Sequence, residues 1–147
     1  MRQVVGKPQG FSRLLDTLRH STTVSSLRYS PDGRTIAIAG FDGTVCLLDA
    51  KTMGQKGTLA GHLGSAYTVA WSPDSEMIAC GGQDPAVGEY LRLWSKSGDT
   101  GTLSPPGGSA TVYAVAWSPD GEMIASGSQS TVRLWSKSGE HKGTLKG

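Results

Sequence analysis

His62 with Asp84, and His20 with Asp42, are the residues of this chain best suited to moving a proton. An imidazole oriented by a carboxylate is a general base. Hydrolysis by that route also needs a nucleophile, and no serine on a Gly-x-Ser-x-Gly elbow accompanies either pair. Gly6-Lys7 runs into Pro8 and lacks the rest of a phosphate-binding loop. There is no His-Glu-x-x-His and no Cys-x-x-Cys, and the three histidines fall on separate elements, so a zinc site is not expected. Cys46 and Cys80 lie on predicted strands of different repeats and read as buried free thiols. Asp32, Asp42, Asp74 and Asp120 sit in turns, where bonding to nearby backbone already explains a carboxylate. These residue types point away from an enzyme, a metal and a cofactor.

What positions them is a repeated phrase. Tyr-Ser-Pro-Asp-Gly stands at Tyr29–Gly33, Trp-Ser-Pro-Asp-Ser at Trp71–Ser75 and Trp-Ser-Pro-Asp-Gly at Trp117–Gly121, in steps of 42 and 46 residues. A second phrase follows each copy: Val45–Asp49, Leu91–Ser95 and Val132–Ser136, the last two continuing as Lys-Ser-Gly. Self-similarity at this period marks a repeat architecture. With 147 residues, 21 glycines and seven prolines, the chain has the many tight turns that short strands require.

The third repeat is the most regular. Tyr113–Trp117 alternates large and small side chains, as a strand packed on both faces does. Ser118-Pro119-Asp120-Gly121 is a turn, since proline presets its φ and Gly121 tolerates a positive one. Met123–Gly127 and Thr131–Trp135 are two further strands, and the charged Lys142–Lys146 a fourth, suited to a solvent-facing edge. The same order predicts strands at Val24–Tyr29, Thr35–Ala39, Thr44–Leu48 and Lys56–Leu59, then at Tyr67–Trp71, Met77–Gly81, Tyr90–Trp94 and Gly101–Leu103. Upstream, Arg13–Leu18 has the pattern of a fourth strand without a preceding three.

A Gly-His element, a hydrophobic-Ser-Pro-Asp-Gly turn, an Ala-Ser-Gly-Ser strand and a Val-Arg-Leu-Trp strand, in this order, resemble the WD-repeat β-propeller family over roughly Leu14 to Gly147. The resemblance implies an all-β chain of four-stranded antiparallel blades. These would be a segment 1–19 carrying the extra outer strand, then blades at 20–60, 61–104 and 105–147. It also implies a structural tetrad of His, Ser or Thr, Asp and Trp in each blade, in which the buried imidazole and indole N–H find partners. Mapped here, the second repeat supplies His62, Asp84 and Trp94, with Cys80 at the hydroxyl position. The first supplies His20 and Asp42, but Leu48 replaces the tryptophan. The third keeps Ser126 and Trp135, has Gly108 at the histidine position and lacks the Asp. In the second repeat Pro85–Glu89 lengthens a turn by about four residues, read as a neutral length variant of a rim loop in preference to a recognition loop. Ser104–Gly108 reads as a rigid connector.

Three blades do not close a ring, because propellers have four to eight. Two faces built to pack on a neighbour are therefore expected to be bare. They would be covered either by the remaining blades of a larger propeller or by a second copy, two chains making a six-bladed ring.

The resemblance implies a non-catalytic scaffold for proteins or peptides, docking partners on the face where first strands begin. Ser25, Tyr67 and Tyr113 occupy that face, with Ser65 and Thr111 two residues before the tyrosines and Phe41 and Gln83 beside the second-turn aspartates. The alternative is a structural or regulatory segment with no ligand face of its own, in which the tyrosines merely cap the core. A net charge of +2 and scattered lysines argue against nucleic acid. No apolar stretch approaches a membrane span and Met1–Pro8 lacks a secretory core, so a cytoplasmic location is expected.

Overall fold

A computed structural model of the chain describes residues 23–59, 64–84, 88–95, 98–103 and 111–147. His20, His62, Gly108, the connector 104–108 and the expected strand Arg13–Leu18 lie outside them. The described chain forms three sheets of four antiparallel strands. The first holds β1 (Val24–Tyr29), β2 (Thr35–Gly40), β3 (Val45–Asp49) and β4 (Gln55–Leu59) in chain order. The second holds β5 (Ala66–Trp71), β6 (Met77–Asp84), β7 (Gly88–Ser95) and β8 (Gly98–Leu103), and the third β9 (Ala114–Trp117), β10 (Met123–Gly127), β11 (Thr131–Ser136) and β12 (His141–Lys146). Each sheet is one blade of the expected kind.

The Ser-Pro-Asp turn sets the register of every blade, and it is built the same way three times. The serine hydroxyl donates to the aspartate Oδ1 at 2.6 Å in Ser30–Asp32, Ser72–Asp74 and Ser118–Asp120. That carboxylate also accepts the N–H two residues on, from Arg34, Glu76 and Glu122, each at 3.0 Å. The serine oxygen in turn accepts the N–H that opens the next strand, from Thr35, Met77 and Met123. The serine hydroxyl, followed by the backbone N–H, holds Asp74 and Asp120 below the usual carboxylate range. Carboxylates so depressed contribute stability above their unfolded pKa and lose it as the pH falls through the folded one, so these turns keep that contribution until the pH is below the ordinary carboxylate range. Gly33 and Gly121 take φ of +74° in the turn; Ser75 stands there at +64° and its hydroxyl accepts the Asp32 N–H of the neighbouring sheet at 3.1 Å.

The sheets stand side by side in chain order, with first strands adjacent. Both faces of each are apolar, and each seam buries a forward face against the backward face of the next blade. Ala37, Ala39 and Val45 meet Ala66, Val69, Ile78, Cys80 and Trp94 in the first seam. Ala79, Leu91 and Leu93 meet Ile124 and Trp135 in the second. Backbone and side-chain bonds stitch the seams: the Trp71 indole donates to the Arg28 carbonyl at 3.0 Å and Val112 N to the Gly82 carbonyl at 3.0 Å. The two outer faces have no such cover among the described residues. Leu27 and Tyr29 (61% exposed) lie on the backward side of the first blade, and Val132 and Leu145 (63%) on the last.

One expectation changes in detail. The residues added to the second blade do not all form a turn: Gly88 and Glu89 belong to β7 and pair with Asp84 and Gln83 of β6. The longer segment extends the hairpin because ladder bonding continues to offer its backbone partners.

Two glycines of the second blade admit no side chain. A Cβ on Gly82 would lie 2.1 Å from the Ser65 carbonyl oxygen, and one on Gly81 2.4 Å from Val112 Cγ1 across the seam. Gly127, at the Gly81 position of the last blade, has nothing nearer than 3.7 Å. Gly81→Ala and Gly82→Ala should each destabilise by about 1–3 kcal/mol or more. Gly127→Ala should be neutral or stabilising by up to ~1 kcal/mol. Urea midpoints of the three variants check this; equal shifts would contradict the seam packing.

Candidate partner-binding face

Because first strands begin and second turns reverse at the same rim, three blades bring their loop residues onto one surface. The Phe41 and Tyr67 rings meet edge to face at 5.6 Å, and Tyr67 and Tyr113 stack at 5.9 Å with an interplanar angle of 19°. An aromatic row thus crosses all three blades. Its ends are open, with Phe41 45% and Tyr113 53% exposed, while Tyr67 between them is half-buried. Ring pairs at these separations lie in the favourable range for edge-to-face and offset stacking. The Tyr67 hydroxyl lies 3.4 Å from Gln83 Oε1, which gives the row one polar tip.

The small polar residues of the rim do a different job. The Ser25 hydroxyl sits between the carbonyls of Ala39 (3.1 Å) and Ala66 (2.6 Å), and Ser65 donates to the Phe41 carbonyl at 2.9 Å. Both bonds reach from one blade to the next and fix the spacing of the aromatic rings. Thr111 is half-buried beside them and Gln83 is exposed.

The buried polar residues beneath the rim form a graded series. In the third blade the Trp135 indole donates to Ser126 Oγ at 2.9 Å, both residues being buried, and the His141 ring packs edge-on against the same indole. In the second, Trp94, Asp84 and Cys80 are all buried, and burial pushes the Cys80 thiol well above its usual range. In the first, Leu48 packs with Ile36 and Ile38, an apolar replacement of the whole arrangement. Asp42 is exposed there and accepts from the Thr44 N–H and hydroxyl. Among the described residues no group of three His, Cys, Asp or Glu side chains could hold a metal ion, and no helix is long and apolar enough to cross a membrane.

The model of the WD domain, G-beta repeat matches residues 12–49, 53–88 and 99–136. Its frame is offset from the sheets: the second match runs from the outer strand of one blade into the inner strands of the next. Actin-interacting protein 1 of Drosophila melanogaster is 42% identical over 80 residues, 52% of this chain and 12% of its own length. WD repeat-containing protein 1 of Xenopus tropicalis is 43% identical over 78 residues, 51% of this chain and 12% of its own. Eukaryotic translation initiation factor 3 subunit I of Emericella nidulans is 31% identical over 81 residues, 54% of this chain and 23% of its own. The chain thus matches about an eighth of the length of the first two relatives and about a quarter of the third.

Ser126→Ala would leave a buried indole N–H without its acceptor and should cost about 1–3 kcal/mol. Thermal melting together with the environment-sensitive fluorescence of Trp135 checks it; an unchanged melting temperature would show that the bond contributes nothing net.

Proposed function

The chain belongs to the WD-repeat family, and from that premise we propose that it is a non-catalytic scaffold that docks a protein partner on the Phe41–Tyr67–Tyr113 row. The family is generally a scaffold for protein interaction. The observation that carries the reading is the row itself: three rings from three blades, in mutual contact, with both ends open to solvent. Amphipathic aromatic anchors surrounded by near-neutral polar contacts are the composition of an interface hot spot. Nucleic acid and membrane are not partners in this reading, and the location is cytoplasmic.

Two relatives carry names that refer to actin or to the WD repeat alone, so actin is the partner to test first. The intact chain should cosediment with actin filaments. Tyr67→Ala with Tyr113→Ala should weaken that binding by roughly thirtyfold, about 2 kcal/mol. Absence of binding by the intact chain would remove actin; binding unaffected by the double substitution would remove the aromatic row.

A second reading is favoured by the two outer faces, which no described residue covers. Val132 and Leu145 of the last blade, and Leu27 and Tyr29 of the first, occupy positions that are covered inside the seams. In this reading the chain completes a larger propeller, with a second copy as the other occupant. Light scattering across a tenfold dilution separates them. A stable species near twice 15.3 kDa means a two-chain, six-bladed ring, and an aggregating monomer means blades supplied from elsewhere.

A further inference from the structure

The two ends of the blades differ in charge. Among the described residues, Arg28, Arg34, Lys51, Lys56, Lys137 and Lys142 all lie toward the Ser-Pro-Asp rim. Arg92 and Arg133 lie midway along third strands, Arg92 over the Trp94 ring and Arg133 buried. At the aromatic rim the one described cation is Lys146, on the outermost strand of the last blade opposite Thr131. Three strand spacings, about 14 Å, separate that strand from the first strand of its blade, where Tyr113 stands.

Carboxylates are placed the other way. Asp42 follows Phe41 and is exposed, and both hydrogen bonds it accepts, from the Thr44 N–H and hydroxyl, end on Oδ1. Neutral donors leave its charge in place, and Oδ2 has no partner among the described residues. Asp84 is buried at the same rim and engaged in an interaction of its own, and Glu89 pairs with Gln83 there.

The direction of the hydrogen bonds agrees with the charge. The hydroxyls of Ser25, Thr44, Ser65 and Tyr67 all donate within the protein, to the Ala66 carbonyl, Asp42, the Phe41 carbonyl and Gln83 Oε1. A hydroxyl has one proton to give, so these groups have only acceptor capacity left for a ligand. A ligand that brings its own donors and a positive charge suits them, and a carboxylate or phosphate does not.

The rings supply the remaining element. Tyr113 stacks on Tyr67 through one face, is 53% exposed, and has no described ring on its second face. A planar guanidinium stacks on such a face, drawn by the ring quadrupole, and does so better than a compact, strongly hydrated ammonium.

We propose that the Phe41–Tyr67–Tyr113 row selects a basic segment of its protein partner, with an arginine guanidinium on the open face of Tyr113 and a second basic side chain against Asp42. This rests on the row being the docking face and adds the chemistry of what docks there. Ring centroids along the row are 5.6 and 5.9 Å apart. Side chains two residues apart on an extended segment leave the same side about 7 Å apart, and the length of two arginines reaches the rest.

The test titrates the full chain, carrying isotope-labelled tyrosine rings, with Ac-Gly-Arg-Gly-Arg-Gly-NH2. Counterpart peptides have Gln, Lys or Glu in place of both arginines. The arginine peptide should shift the Tyr67 and Tyr113 ring signals saturably and bind roughly tenfold more tightly than the Gln peptide. The Lys peptide should fall between them and the Glu peptide should give no shift. Tyr113→Leu keeps apolar area and removes the ring face; binding followed at Tyr67 should weaken roughly tenfold, whereas Tyr113→Phe should bind as the parent does. Asp42→Asn should weaken binding roughly threefold and flatten its dependence on salt. Equal affinity for the arginine and Gln peptides would overturn the proposal while leaving the row as an apolar dock. Absence of saturable shifts, or full binding by a folded Tyr113→Leu variant, would overturn it too, and cosedimentation with actin still tests the row independently.

Discussion

Every blade of this protein is a sheet with two apolar faces, and that constraint governs the rest. A four-stranded sheet with one apolar face needs one cover; with two it needs a neighbour on each side. The seams supply this cover internally. Ala37, Ala39 and Val45 are buried against the second blade, and Ala79, Leu91 and Leu93 against the third. The rims follow from the seams, since the packed sheets bring Phe41, Tyr67 and Tyr113 into line at one end. At the other they bring the three Ser-Pro-Asp turns into line. The faces at either end of the row that no described residue covers follow from the same constraint.

Much of this was legible in the sequence because it is local. The Ser-Pro-Asp turn carries its own hydrogen-bond plan within six residues, so three copies of the phrase announced three blades before any contact was known. The rim position of the two tyrosines was readable from their place at the start of first strands. Less legible was the division of labour there: Ser25 and Ser65 direct their hydroxyls to backbone carbonyls of the adjoining blade, a partnership that exists only after blades pack. An opening of about 510 Å³ between the first two blades, at the rim of the Ser-Pro-Asp turns, escaped the sequence for a related reason. Its signal was present, Thr35 where the other two repeats have methionine, but the size of one side chain means nothing until the opposing wall is known. The extended hairpin of the second blade was misread as a turn because length alone does not say whether added residues keep pairing.

The polar interior shows how a repeat tolerates loss of its consensus. Ser126 and Trp135 in the last blade satisfy each other, whereas the first blade substitutes an apolar pair, Ile38 and Leu48, at the matching positions. Replacing both members together avoids an orphaned donor, which is why such exchange is tolerated where a single change is not. Trp117 is the exception: its buried N–H has no partner among the described residues, although Trp71 at the same position of the preceding blade is bonded across the seam. We have no physical account of that difference.

The glycines of the second blade bear on how such a chain can diversify. Ala39 and Ala66 share the buried cluster of the first seam; at the equivalent positions of the second seam stand Gly81 and Val112, in near contact. The volume removed from one wall has been added to the other. Blades that look interchangeable as sequences are therefore keyed in pairs. A recombination event that joined the first blade directly to the third would set Ala39 against Val112 and overfill the join, even though every residue in it would be an ordinary member of the repeat. Duplicating the second blade would instead set Gly81 against Ala66 and leave that join underfilled. The heritable unit of this architecture is the seam rather than the blade.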